Sequence, residues 1–217
     1  METFDEILKM ITKNSMLQTP TNDLIDDYID RFNNDERYYP ADQAIIKLFT
    51  AFPHNRMLED ILLKISVIND LYSTNILGTF KMAKHIRQLD IDSDLSKGDP
   101  AVVHRIATGH GIISKRNNKE INFYSFATKY CNWHNRDHYA IYDQFVEKVL
   151  WAYRRRDDFS NFKRTDLKNF EKFIHIIQEF VDFYVLSRYN LKEIDKFLWI
   201  YGKEKFPAYY NRTIEQT

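Results

Sequence analysis

Turn-forming residues are scarce in this chain. Five glycines and five prolines in 217 residues are too few for a sheet protein or a phosphate-loop enzyme, whose tight turns consume them. Between these breaks, apolar residues recur at three- and four-residue spacing over long segments, the period of an amphipathic helix. The combination predicts an all-α chain folded as a compact multi-helix bundle.

The helices can be placed by their start and stop signals. Phe4, Ile7, Leu8 and Ile11 mark a first helix over 3–13, and Thr21 or Asn22 caps a second. Pro40 starts a third and Pro53 ends it. The fourth runs from Met57 to Tyr72 and is apolar nearly all round from Ile61 to Leu71, which predicts a central position. A fifth covers 76–88. Residues 89–100 read as a connection, whose acids lack the glycine and glutamate positions of a calcium loop. Pro100 opens a sixth helix that stops at Gly109-His110-Gly111. A helix capped by Asp143 reaches the arginine triplet at 154–156, and 157–165 reads as a loop. Asp166 then caps a long amphipathic helix, Asn190 caps the last, and a tail follows from Pro207.

Composition excludes several classes. The lone cysteine, Cys131, rules out an intrachain disulfide and any multi-cysteine zinc or iron–sulfur site, and reads as a buried small residue. No apolar run has the length of a signal peptide core or a membrane span, so a cytoplasmic protein with no membrane partner is expected. His134 and His138 straddle a turn without a third ligand, and no metal or cofactor is expected. Aromatics are abundant, with 16 Phe, 14 Tyr and 3 Trp. They serve either thick cores or base-stacking platforms. Residues 1–96 carry 10 basic and 16 acidic side chains, and residues 97–217 carry 21 and 15. That split can leave one basic face on a protein of zero net charge.

Chemistry concentrates in residues 121–146, INFYSFATKYCNWHNRDHYAIYDQFV. An aromatic segment carries a single lysine, Lys129. A polar turn over 135–138 leads to Tyr139-Ala-Ile-Tyr-Asp143. At the start of a helix, the Asp143 carboxylate can accept the free N–H groups of the first turn, and its charge is favoured by the helix dipole. Asn69 and Tyr72 end the fourth helix on one face. Asp195 and Trp199 sit four apart on the last helix, where a carboxylate beside an indole could read and stack a base or simply pack. Gly109 and Gly111 can expose backbone N–H groups to a phosphate or act as helix caps. Lys115, Arg116 and Lys119 follow within ten residues.

Three blocks together carry a resemblance. Residues 61–76, with "L-L-K-I-x-x-I-N-D-L-Y-S-T-N-I", residues 123–146, with "I-Y-D-x-x-V", and residues 191–203, with "I-D-x-x-L-W-x-x-G-K", resemble the helix-hairpin-helix DNA glycosylase superfamily. The likeness is strongest to the 8-oxoguanine DNA glycosylase fold family of bacteria and archaea. It covers about a quarter of the chain. It implies a two-lobed helical fold, with lobes near 1–97 and 98–206 and a tail over 207–217. It also implies a monomeric DNA N-glycosylase, with or without lyase activity, acting on double-stranded DNA that carries a modified base such as 8-oxoguanine. Asp143 would stabilise positive charge at the sugar. Lys129 would be the nucleophile, about one helical turn later than the family spacing places it. Asn69, Tyr72, Asp195 and Trp199 would form the base pocket. Gly109, Gly111, Lys115, Arg116 and Lys119 would grip phosphates. The polar stretch after the hairpin is longer than the family pattern. The alternatives are a nucleic-acid-binding module that keeps this fold without catalysis, and a helical interaction protein.

Overall fold

The computed structural model describes residues 17–206. Among these residues the chain is all-helical, with one isolated bridge between Ile113 and Glu120 and no strand. In chain order the helices are α1 (Asn22–Asn34), α2 (Tyr38–Ala51), α3 (Leu58–Leu71), α4 (Thr79–Leu89) and α5 (Asp92–Lys97). Then come α6 (Ala101–Ala107), α7 (Tyr124–His134), α8 (Gln144–Asp157), α9 (Phe170–Phe183) and α10 (Leu191–Lys205), with a 3-10 turn at Arg164–Lys168. The expected helix over 3–13 and the tail from Pro207 lie outside the described residues.

Several boundaries differ from expectation for local reasons. The connection at 89–100 contains α5. Its first turn holds Asp92 and Asp94, at the end where negative charge is favoured, and Leu95 buries its inner side. Gly98 ends α5 at φ +72, a left-handed position suited to glycine. Pro40 lies inside the first turn of α2, where an N–H has no helical acceptor to lose. Asp166 does not cap α9. It closes the 3-10 turn by accepting from the Lys163 N–H at 2.8 Å, and Asn169 caps α9 by accepting from the Lys172 N–H at 3.1 Å. The other expected caps are present. Asp143 accepts from the Phe145 N–H at 2.8 Å, and Asn190 and Glu193 form a reciprocal capping box on α10.

Packing divides the chain into two units, Asp35–Tyr142 and a second that joins residues 17–34 to 143–206. The grouping differs from lobes split near residue 97. Val102, Val103 and Ile106 of α6 are fully buried in the same unit as α3 and α4, so the change of net charge at 97 marks no packing boundary. In this unit Ile61, Ile65 and Ile68 give α3 a buried face, while Leu63 and Leu71 are exposed. The helix is therefore amphipathic rather than buried all round.

In the other unit the core is aromatic. Tyr153 and Tyr201 stack with ring centroids 6.2 Å apart, and Tyr28 meets Tyr201 and Phe197 edge-on. The hydroxyls find partners, as burial requires. Tyr28 donates to Glu204 at 2.6 Å, Tyr153 donates to the Gln18 carbonyl, and Tyr201 accepts from the Gln18 N–H. Much of the aromatic content is thus core.

Candidate functional site

The polar residues of α7 are arranged as a buried ladder. Ser125, Thr128, Lys129 and Asn132 fall at offsets of three, four and seven, so they share one face of the helix. Thr128, Lys129 and Asn132 are buried. Together they hold the extended segment over 139–142. The Asn132 amide donates to the Tyr139 carbonyl, and Thr128 Oγ1 accepts from the Tyr142 N–H at 3.1 Å. The Tyr142 carbonyl accepts from Ser125 Oγ at 3.1 Å and from Lys129 Nζ at 3.2 Å. Unpaired polar groups would be costly at this depth, so the ladder fixes the segment's register. That segment leads by one peptide bond into Asp143, the N-cap of α8.

Lys129 is 2% exposed. Its ammonium also donates to Ser125 Oγ at 2.7 Å and lies 5.4 Å from the centre of the Tyr72 ring. Tyr72 is in turn oriented by the Trp133 indole N–H, which donates to its hydroxyl at 3.2 Å. The expected nucleophile Lys129 and the expected pocket residue Tyr72 are therefore brought together. Asn69 is employed otherwise. Its Oδ1 accepts from the Ile76 N–H at 2.7 Å and from Thr74 Oγ1 at 2.9 Å, bracing a turn that passes through Ser73 and Asn75 at positive φ. This bracing is a structural use of Asn69.

Asp195 and Trp199 lie on α10, in the other unit. Asp195 is buried, with its carboxylate 3.6 Å from Lys192 Nζ. Half-buried Trp199 meets Phe32 edge-on at 6.3 Å, and Lys203 Nζ lies 4.4 Å from its ring centre. A face already covered by an ammonium is a poor stacking platform in this conformation.

The glycine turn is built around His110. Its Nδ1 accepts from the Ile112 N–H, and its Nε2 lies 3.2 Å from the Ala107 carbonyl and 3.0 Å from the Ile121 carbonyl. Those partners fix a neutral imidazole with the proton on Nε2, and burial lowers its pKa. Gly109 and Gly111 adopt φ +82 and +69. Their N–H groups both donate to the Glu120 carboxylate, at 3.0 Å and 2.7 Å. The amides expected to meet a phosphate therefore carry an anion of the chain itself. Lys115, Arg116 and Lys119 are exposed on a short arm closed by Ser114 N–H donating to the Lys119 carbonyl.

Two further buried lysines escaped the sequence reading. Lys64 of α3 donates to the Phe52 and His54 carbonyls and to Asn55 Oδ1, and its Nζ lies 3.4 Å from His134 Nε2. Burial lowers its pKa to about 8. Lys148 of α8 is also buried, with its pKa lowered to about 8 by burial against the opposing pull of Asp143. The signal for Lys64 was its place at the fourth position of an Ile61–Ile65–Ile68 stripe. Cys131 is buried as expected, which pushes its thiol well up. His134 faces Lys64, whereas His138 Nδ1 pairs with Asn135 Oδ1, so these two imidazoles serve separate contacts. Among the described residues no group of three His, Cys, Asp or Glu side chains could hold a metal, and no helix is long and apolar enough to cross a membrane.

Comparison with known proteins places these features in a family. The family model HI_0787_N, an N-terminal domain, matches residues 24–138. These include the glycine turn and Lys129 and stop five residues before Asp143. A protein of Haemophilus influenzae (strain Rd), described as uncharacterized, is 44% identical over 155 residues. The match covers 71% of this chain and 72% of that protein. No solved structure matches the chain.

Proposed function

We propose that this chain, which belongs to the HI_0787_N family, is a DNA N-glycosylase that excises an oxidised or otherwise modified base such as 8-oxoguanine. One observation carries the reading. A lysine ammonium buried on α7 is hydrogen-bonded to the carbonyl of Tyr142, and the next residue, Asp143, presents a carboxylate at the start of α8. Asp143 thus follows directly in the chain on the segment that Lys129 holds.

The roles follow from the chemistry. The target nucleotide must leave the base stack before C1′ can be reached. As the C1′–N bond breaks, its electron pair departs with the base, which takes up a proton. Positive charge builds on the sugar, and the Asp143 carboxylate stabilises it. In a bifunctional reaction the neutral amine of Lys129 attacks C1′. The sugar ring then opens: the C1′–O4′ bond breaks, O4′ takes up the proton released by the amine, and a protonated Schiff base remains at C1′. In a monofunctional reaction water takes the place of the amine.

The same hydrogen bonds favour a second reading. Lys129 with Ser125 is a sufficient structural clamp on the 139–142 segment, and a nucleic-acid-binding module without catalysis would need nothing more. Borohydride trapping on duplexes carrying 8-oxoguanine, uracil or an abasic site separates the two. A covalent adduct with wild type, lost in Lys129→Gln, is the expected outcome. Base release without an adduct, abolished in Asp143→Asn, would establish the monofunctional enzyme. No adduct and no release on any of these duplexes would sink the enzymatic reading for them and leave the binding module.

A further inference from the structure

The glycine turn is an anion-binding nest that the chain fills with its own carboxylate. Two backbone N–H groups two residues apart, both on left-handed glycines, converge on one small volume, the arrangement that holds phosphate oxygens in many proteins. Here Glu120 Oε2 takes the Gly109 N–H and Oε1 takes the Gly111 N–H. The geometry is bidentate, with one carboxylate oxygen on each donor.

The turn is held open from beneath. His110, between the two glycines, is buried and tied by three backbone groups, the Ala107 and Ile121 carbonyls and the Ile112 N–H, which brace the turn from within. A side chain added at Gly111 would meet nothing within 4 Å, so the surface above that glycine is open. Glu120 itself is exposed and reaches the nest from the far end of the 113–120 arm. It is the only acid between residues 109 and 120, against three exposed cations, Lys115, Arg116 and Lys119. Lys81 Nζ also anchors beside the nest, on the Gly111 carbonyl at 3.2 Å. The carboxylate also lies 3.7 Å from His110 Nδ1, and among the described residues no Lys or Arg pairs with it, so the two donors hold an acid that an external anion could replace.

We propose that Glu120 is an internal latch on a phosphate site, and that a phosphodiester of bound nucleic acid displaces it from the Gly109 and Gly111 amides. The exchange is chemically even. One singly charged, two-oxygen acceptor replaces another, and the released carboxylate passes into water at an exposed position. Lys115, Arg116 and Lys119, exposed on the same arm, add contacts that a polyanion can take and the lone carboxylate cannot. This inference rests on the reading of the chain as a DNA-binding enzyme. It adds that the hairpin grips DNA only after giving up its own anion.

The test compares wild type, Glu120→Gln and Glu120→Ala for binding to a short fluorescein-labelled, undamaged duplex across a salt series. Glu59→Gln removes the same charge from an exposed site on α3 and controls for net charge. Amide spectra of 15N-labelled protein follow Gly109 and Gly111 directly, and thermal melting verifies that each variant is folded. The expected result is about threefold to tenfold tighter binding for both Glu120 variants and not for Glu59→Gln, with a log–log salt slope steeper by about one phosphate contact. In wild type the two glycine amide signals should move when duplex is added. If wild type binds duplex but the Glu120 variants bind no tighter, or the glycine amides do not move, the latch is wrong and the DNA reading survives. If neither wild type nor variants bind at low salt, the DNA reading fails and the latch falls with it.

Discussion

Asp143 caps α8, and substitution separates that cap from the catalytic role proposed for its carboxylate. Its Oδ1 caps α8 through the Phe145 N–H. Asparagine is about as good an N-cap as aspartate, whereas alanine removes the acceptor. Asp143→Asn should therefore melt within about 0.5 kcal/mol of wild type and Asp143→Ala about 1 kcal/mol below it, measured by denaturant unfolding. If the Asp143→Asn protein is folded and loses base release, the carboxylate charge rather than the cap is what the chemistry uses. A loss of stability in Asp143→Asn as large as in Asp143→Ala would show that the cap depends on charge. This residue was legible from the sequence because an acid before an apolar helical run is a recognisable start signal. The turn-bracing contacts of Asn69 were not legible, for an equally physical reason. Its offset from Tyr72 is the same whether its side chain faces a pocket or folds back onto residues 74 and 76.

At the scale of elements, Gly202 allows α8 and α10 to approach closely. A Cβ built at Gly202 would lie 2.8 Å from Phe145 Cβ and 3.0 Å from the Phe145 carbonyl oxygen. Both are parts of α8 that no rotamer change can move. Gly202→Ala should gain about 1 kcal/mol from helix propensity and lose more than that by forcing the helices apart. The expected net is a destabilisation of about 1–2 kcal/mol, read from chemical denaturation. A stabilised variant would mean that α8 and α10 can slide at no cost. The sequence marked Gly202 only as part of a motif and gave no sign of this packing. Helix α5 was overlooked because one and a half turns carry too few apolar residues to show a period. The buried ladder of Ser125, Thr128, Lys129 and Asn132 was overlooked because polar residues at helical spacing normally signal a solvated face. Its burial follows from the return of residues 139–142 along α7.

For the molecule as a whole, buried neutral imidazoles set an acid limit on stability. His134 is held well below its ordinary pKa, first by burial and then by the Lys64 and His54 charges, and burial likewise lowers His110. Both remain neutral in the folded chain while their unfolded counterparts gain a proton near pH 6.5. The unfolded state then binds more protons, so this contribution is intact above pH 6.5 and is lost as pH falls below it, down to the folded values. The thermal midpoint should decline between pH 7 and pH 5, before carboxylates with lowered pKa such as Asp157 and Glu204 begin to matter. His134→Gln, neutral throughout, should flatten that decline; an unchanged slope would place its origin elsewhere. From sequence alone came the helical class, the caps at Asp143 and Asn190, the buried Cys131 and the polar turn after α7. Each depends on residues within a turn or two of one another, where spacing and backbone chemistry leave few options. Tertiary structure decided the grouping of residues 17–34 with 143–206, the burial of Lys64, Lys129 and Lys148, and the capture of the Gly109 and Gly111 amides by Glu120. Those outcomes join residues distant in sequence or turned inward against expectation. Local pattern specifies which face of a helix is apolar, but only the packed chain determines what that face meets.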